Sequence, residues 1–417
     1  MKTYSEPQKI LPVIYEADVI VAGSGPAGVA AALGAARMGS KTLLIEQCGC
    51  VGGISTAGLM SHWTGTVDSP LYREILDRSA DGSTLIDPER LKTTYLEMLD
   101  EAGVTLLLYT FVSDVIMEEN RVCGLIIENK SGRQAVYGKV VIDATGDGDV
   151  AYKAGVPYVK GRETDGKMQP VTAMFKVAGV DDSRAVHLWS FESTYQTPKG
   201  ELQALAKKHL PFPAGHVLLY PSSLAGVVTC NMTNCIDIDG TKTEDLTKAE
   251  FICRSQMGKI VEFLHEYVPG YENCFLISSA SLIGVRETRH FKGEYTITAE
   301  DILAARQFED WVVRGAHFNF DVHNISGAGL DETGAQAKFG QTKGYTIPYG
   351  CLVPVGFDGL LLAGRNISGT HIAHSNYRVM PICVGMGFAA GVAAALSVEK
   401  GIAPRAVQPQ EIQKRVY

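Results

Sequence analysis

The sequence predicts an α/β chain, α+β overall, and three stretches predict it. Asp18–Glu46 reads as a strand, a glycine-rich turn, a helix and a second strand, the opening of a parallel sheet. Val140–Asp149 is another apolar run that ends in a Gly/Asp turn. From about residue 158 the chain changes to sheet strands and helices without a glycine-rich turn, and residues 341–417 return to the first style. Residues 1–157 and 341–417 are therefore expected to form one discontinuous domain, with 158–340 inserted as a second domain on a mixed β-sheet.

Taken in order, Val19, Ile20 and Val21 form a short buried strand. Gly23-Ser24-Gly25-Pro26-Ala27-Gly28 follows at once and fits G-x-G-x-x-G. Gly23 permits the tight turn, Gly25 lets a pyrophosphate approach the backbone, and Gly28 lets the helix lie close to the strand. An alanine-rich helix is expected from Pro26 to Met38, stopped by Gly39, and its N-terminus offers free N–H groups to phosphate. Thr42–Ile45 is the second strand, and Glu46 at its end can accept both hydroxyls of an adenosine ribose. Strand, turn, helix, strand and terminal acid together point to dinucleotide binding; the bland alternative is a glycine-rich turn in an ordinary βαβ unit.

Gly52-Gly53 follows in a loop that can pass close to a ligand, while Cys48 and Cys50 read as loop cysteines, since C-x-C without a second pair is a poor metal signature. Ser69-Pro70 and Asp87-Pro88 open two helices. A β-meander is expected over Val104–Val112, Asp114–Glu118, Val122–Glu128 and Gln134–Val136. Val140–Asp143 then re-enters as a buried strand ahead of Ala144-Thr145-Gly146-Asp147. In the middle region strands are expected at Val171–Val177, His216–Tyr220, Val227–Met232 and Phe275–Val285. Thr247 is expected to open one helix through a capping box, and Thr298 to cap another that runs through Phe308. Gly359–Ala363 is an apolar strand ending in Gly364-Arg365, and Pro381 opens a final helix rich in glycine and alanine.

Composition sets limits. A chain of 417 residues with 46% hydrophobic content has ample core for two domains. Net charge −8 without a basic stripe speaks against nucleic acid as partner. The N-terminus shows no secretory h-region, and the run Val384–Val398 is read as too short to span a bilayer. Nine scattered cysteines suggest a reduced, cytoplasmic chain. A homo-oligomer is compatible with all of this.

The whole pattern resembles the FAD-dependent oxidoreductase family in which a Rossmann-type flavin domain is split and a substrate domain inserted. The resemblance covers nearly the whole chain. It rests on DVIVAGSGPAGVAAALGAARMG, IEQCGCVGGISTAGL, VVIDATGDGDV, GVRETRHFKGEYTIT, YTIPYGCLVPVGFDGLLLAGRNIS and RVMPICVGMGFAAG. It implies FAD as cofactor, with Gly23, Ser24, Gly25, Pro26, Ala27 and Gly28 on the pyrophosphate and Glu46 and Gln47 on the adenosine. Gly52 and Gly53 would line the flavin side, and Val112 would meet the adenine. Ala144, Thr145, Gly146 and Asp147 would lie over the cofactor, with Gly364 and Arg365 near the ribityl and phosphates. Met386 and Gly387 would stand near the isoalloxazine. The family often has Gln-Ala-Ala-Gly where this chain has Phe388-Ala389-Ala390-Gly391, which removes one polar contact.

Such a protein leaves hydride chemistry to the flavin and handles substrate and protons itself. His371, His374 and Arg378, between a strand and a helix expected at the flavin, are the first candidates for that work, with His62 next. Any of these histidines could instead tether the flavin. Arg286 is a candidate for carboxylate recognition; the alternative for Arg286 and Arg289 is an ion pair with Glu287 or Glu294. Three functions follow. One is hydride transfer from a small polar substrate bearing a hydroxyl or amine to flavin. Another is a flavin-dependent C=C reductase or hydroxylase fed by a separate reductase, since no second G-x-G-x-x-G follows a strand. The last is a non-redox dinucleotide-binding protein holding NAD. The small-molecule substrate and an external electron acceptor or reductase are the expected partners, and no metal is expected.

Overall fold

Strand Val13–Ala22 is the axis of the main sheet in the computed structural model, which describes residues 2–331 and 340–417. Its second half pairs in parallel with Thr42–Ile45 on one side and with Val140–Asp143 on the other. Thr105–Leu107 continues the parallel order beyond Thr42–Ile45, and Leu360–Leu362 pairs in parallel with Val141–Asp143. Five strands therefore end on the same edge of the sheet. They include one from the far end of the chain, and their carboxyl ends are where open α/β sheets bind ligands.

The meander is real but is cut differently from the expectation. Val104–Val112 is not one strand: Thr105–Leu107 belongs to the parallel layer, and the chain breaks at Tyr109, at φ +52°, before Phe111–Glu118. The break follows from pairing, because a strand in the parallel layer must turn before it can enter an antiparallel hairpin. Gln134–Val136 and Val140–Asp143 are instead one continuous strand, Gly132–Asp143. Its first half pairs with Arg121–Asn129 and its second half with the parallel layer.

A second, antiparallel sheet has the order Leu219–Pro221, Val228–Cys230, Phe175–Ala178, Phe275–Ser279. The expected strands there were too long, because stretches such as Val171–Met174 are buried outside any continuous strand. Thr247 does not open a helix: the helix runs Thr243–Tyr267, and the Thr247 hydroxyl donates to the Thr243 carbonyl inside it. Thr298 does form a capping box, with Asp301, but its helix ends at Leu303. Among the described residues, buried apolar side chains form two clusters. One draws only on residues from Val171 to Ile283; the other joins residues from Ala17 to Val156 with residues from Phe291 to Val416.

Helix Met380–Lys400 is long and apolar enough to cross a membrane by length and composition, longer than the run read from sequence, but it lies buried in the protein. It is not the final helix, since Pro409–Val416 follows. It packs on the first helix, Pro26–Arg37, backbone against backbone. A Cβ on Gly387 would meet the Ala27 carbonyl oxygen at 2.0 Å, and one on Gly391 would meet that of Ala31 at 2.1 Å. Alanine exceeds glycine in helix propensity by only about 1 kcal/mol. A methyl driven into rigid backbone outweighs that gain, so Gly391→Ala is expected to destabilise the fold by about 1–3 kcal/mol net. A fall of the thermal midpoint by several degrees in calorimetry checks it; an unchanged or higher midpoint contradicts it.

Candidate active site

A cavity of about 580 Å³ opens at the carboxyl edge of the main sheet and reaches the second sheet. At one end it is lined by Gly23–Ala27, Glu46, Gln47, Gly53, Val112, Ala144–Asp147, Gly364 and Arg365. At the other end stand His62, Trp189, Tyr220, Arg286, Asp321, His323 and Arg378.

The glycine turn is held from within. Gly23 sits at φ +90°, and a Cβ there would meet the Ala144 carbonyl oxygen at 2.5 Å. A Cβ on Gly28 would meet the Gly23 carbonyl oxygen at 1.8 Å. Gly25 is different, for a Cβ there would meet nothing within 4 Å. Protein packing does not demand that glycine; the space in front of it fits a ligand such as a pyrophosphate. Glu46 is buried and accepts from the Ser24 N–H at 2.8 Å, the Ser24 hydroxyl at 2.7 Å and the Cys48 N–H at 2.8 Å. One carboxylate thus fixes both loops and keeps one lone pair, on Oε1, for one ribose hydroxyl rather than both. Gly52 donates its N–H to the Ser24 carbonyl and braces the turn without lining the cavity. Cys48, beside it, is a thiol pushed up to about 12 by burial and by Glu46, and all nine cysteines are unpaired.

The second turn is tied to Asp143. Its carboxylate accepts from the Thr145 N–H and hydroxyl and from the Ala151 N–H, and burial pushes it up to about 6. Asp147 accepts from Arg365 Nη2 at 3.0 Å and from the Thr288 hydroxyl at 2.7 Å. Arg365 Nη1 is buried without a partner, as a cation reserved for an anionic or polar ligand would be. The N-termini of helices Pro26–Arg37 and Met380–Lys400 both reach the cavity with no capping side chain, so both present partial positive charge to it. These features fit FAD. Met386 and Gly387 do not line the cavity: Met386 is core and Gly387 is in the helix contact, while Val379, Met380 and Cys383 face the cavity.

At the far end Arg378 donates to the Asp321 carboxylate at 2.8 Å and to its carbonyl at 2.9 Å, leaving Nε buried without a partner. Arg286 donates to the Pro170 carbonyl at 2.6 Å, and burial together with the charge of Arg378 brings it down to about 10. Neither Arg286 nor Arg289 pairs with Glu287 or Glu294, contrary to the expected ion pair. Arg289 pairs with Asp149 and lies 4.1 Å over the Tyr152 ring, while Glu294 takes Arg405. His62 lies edge-on to Trp189 at 4.6 Å, and burial brings it down to about 4. His371 and His374 do not line the cavity; they sit buried behind it with Glu287 and His290.

Sequence reasoning passed over Asp321, His323, Trp189 and Tyr220. Asp321 and His323 carried one signal, their i, i+2 spacing, which puts both on one side of an extended chain. His323 Nε2 stands 3.3 Å from the Asp321 carboxylate, and burial brings the imidazole down to about 4.

The family model described as FAD dependent oxidoreductase matches residues 18–416. The thiamine thiazole synthase of Sulfolobus acidocaldarius is 31% identical over 147 residues, covering 31% of this chain and 56% of that protein. Digeranylgeranylglycerophospholipid reductase 1 of Methanococcoides burtonii is 28% identical over 192 residues, covering 39% of this chain and 45% of that one. The chain thus spans about half the length of the curated relatives it matches. Among solved structures, the flavin-dependent brominase Bmp2 aligns with TM-score 0.50 at 12% identity over 96% of this chain and 83% of that one, a likeness of fold.

Two outcomes are expected here. Glu46→Ala should weaken FAD binding about 10- to 100-fold, since hydrogen bonds to a charged group contribute roughly 1.5–3 kcal/mol; equal FAD retention after dialysis contradicts it. His62, His216 and His323, brought down to about 4, 3 and 4, each bind a proton more readily unfolded than folded. Their contribution to stability is full above the ordinary histidine value of about 6.5 and is lost as pH falls toward 4. Asp143 and Asp149, both raised by burial, oppose this, and His187, also lowered by burial, adds to it. Thermal midpoints should therefore drop between pH 6.5 and 4, and a flat profile contradicts the assignment.

Proposed function

This chain belongs to the FAD dependent oxidoreductase family, and on that premise we propose that it oxidises a small carboxylate-bearing alcohol or amine. FAD, when bound, supplies the hydride acceptor. The observation that carries the reading is the pair Arg286 and Arg378 in one cavity with a single carboxylate, Asp321, between them. Two guanidiniums and one carboxylate leave a positive charge that an anionic substrate balances.

Arg286 holds the substrate carboxylate, and Arg378, itself fixed by Asp321, orients it. His62, Trp189 and Tyr220 form an aromatic wall that excludes water from the reacting carbon. His62 accepts the substrate proton at Nε2; burial brings the imidazole down to about 4, so it stands unprotonated at working pH, as a weaker base than a histidine at its ordinary value. His323, aligned by Asp321, stands next in line for that role. The discontinuous domain, 1–157 with 341–417, holds the cofactor, and the cytoplasm is its place. A C=C reductase or hydroxylase fed by another protein is the second reading, favoured by the apolar character of the wall.

Anaerobic mixing with hydroxy acids and amino acids decides between them. Bleaching of the yellow protein without added reductant is expected for the first reading; bleaching only with a reductase favours the second. His62→Ala should slow substrate-driven bleaching about 10²- to 10⁴-fold with FAD content unchanged. Arg286→Gln should raise the apparent KM about 10- to 100-fold. Wild-type values in both variants would overturn the assignment. A fragment ending near residue 157 should fail to retain FAD; a yellow, soluble fragment would contradict the split domain.

A further inference from the structure

Behind the cavity, the turn at Glu287 and the strand Arg289–Phe291 meet the helix His371–Tyr377. Glu287, His290, His371 and His374 converge there, each no more than 4% exposed. Ligand atoms of Glu287, His290 and His374 all lie within 4.8 Å of one another. Glu287 Oε1 stands 2.9 Å from His290 Nε2 and 2.6 Å from His371 Nδ1. These are hydrogen-bond lengths; an ion shared by Glu287 Oε1 and His290 Nε2 would take the place of the proton between them and open the pair to about 3.4 Å, the separation of tetrahedral neighbours at about 2.1 Å.

Hydrogen bonding alone leaves this cluster incomplete. The Nδ1 atoms of His290 and His374 are both buried without a partner. His62, His187 and His216 share that feature, but Glu287, His290 and His374 are, among the described residues, the group whose ligand atoms also lie within 4.8 Å of one another, and an unrecorded ion accounts for that convergence. The other oxygen of Glu287 accepts the Gln169 N–H at 3.1 Å, so the carboxylate is anchored from a separate segment.

We propose that Glu287, His290 and His374 bind one divalent first-row transition ion of the zinc class, with His371 orienting Glu287. Imidazoles with one carboxylate suit such an ion and not magnesium or calcium. The ion is structural. It would join the 287–290 segment to the helix that leads into Met380–Lys400. The same segment carries Thr288 and Arg289, which hold Asp147 at the cofactor turn. Metal would therefore brace the cofactor site from behind.

The test uses the full-length, FAD-loaded protein equilibrated with Zn²⁺ and freed of excess by gel filtration. Elemental analysis should find about one equivalent per chain, and a strong chelator should lower the thermal midpoint. His290→Ala and His374→Ala, if still yellow, should bind Zn²⁺ at least about tenfold more weakly, the loss typical even of an outer-shell partner. X-ray absorption of the wild-type zinc form should show nitrogen and oxygen neighbours only, which keeps the test decisive should both variants fail to fold. Sub-stoichiometric zinc, sulfur neighbours from the unpaired cysteines, or full binding by a yellow variant would each overturn the proposal.

Discussion

The direct backbone contact between helices Pro26–Arg37 and Met380–Lys400 is the constraint on which the remainder depends. Helices this close need a row with no side chain, and Gly387 and Gly391, one turn apart, face Ala27 and Ala31, also one turn apart. The contact fixes the C-terminal segment against the N-terminal glycine turn. Leu360–Leu362 can then join the main sheet beside Val141–Asp143, which brings Gly364 and Arg365 to the turn Ala144–Asp147. It also aims two uncapped helix N-termini into one cavity from two directions. A site for an anionic, redox-active ligand is a consequence of that geometry as much as of any side chain.

Charges around the cavity are distributed by the same logic. Carboxylates near the cofactor end are spent on backbone: Glu46 holds the Ser24 and Cys48 amides, and Asp143 holds those of Thr145 and Ala151. Guanidiniums are left incompletely paired, Arg365 at Nη1 and Arg378 at Nε. Each guanidinium is paired with a carboxylate, Asp147 or Asp321, but a buried N–H left without an acceptor still costs stability, so these are positions where a further acceptor has something to contribute. The cluster of Glu287 with three histidines follows a different pattern, being buried and not among the residues that line this cavity. Its link to the site runs through the neighbours Thr288 and Arg289 on Asp147.

What the sequence by itself determined is what local chemistry determines. The glycine turn, its helix from Pro26, the strand Thr42–Ile45 and the acid after it were legible residue by residue, because each depends on neighbours a few positions away. The pattern of the meander and the return of Leu360–Leu362 to the first sheet were legible as well, although not their limits. Tertiary structure decided the rest. Tyr109 breaks a run that looks continuous because Thr105–Leu107 finds a parallel partner more than sixty residues upstream. Thr247 has the spacing of a cap, yet the helix begins a turn earlier. His371 and His374 stand beside the expected flavin helix in sequence, but the short helix they form points them at Glu287 and His290. Asp321 and His323, unremarkable in the chain, enter the cavity because Arg378 and Phe191 arrive from distant segments to hold them. Backbone preference is local and leaves its mark on a sequence; which side chains share a cavity is settled by packing between segments far apart in the chain, and a single sequence carries no record of that.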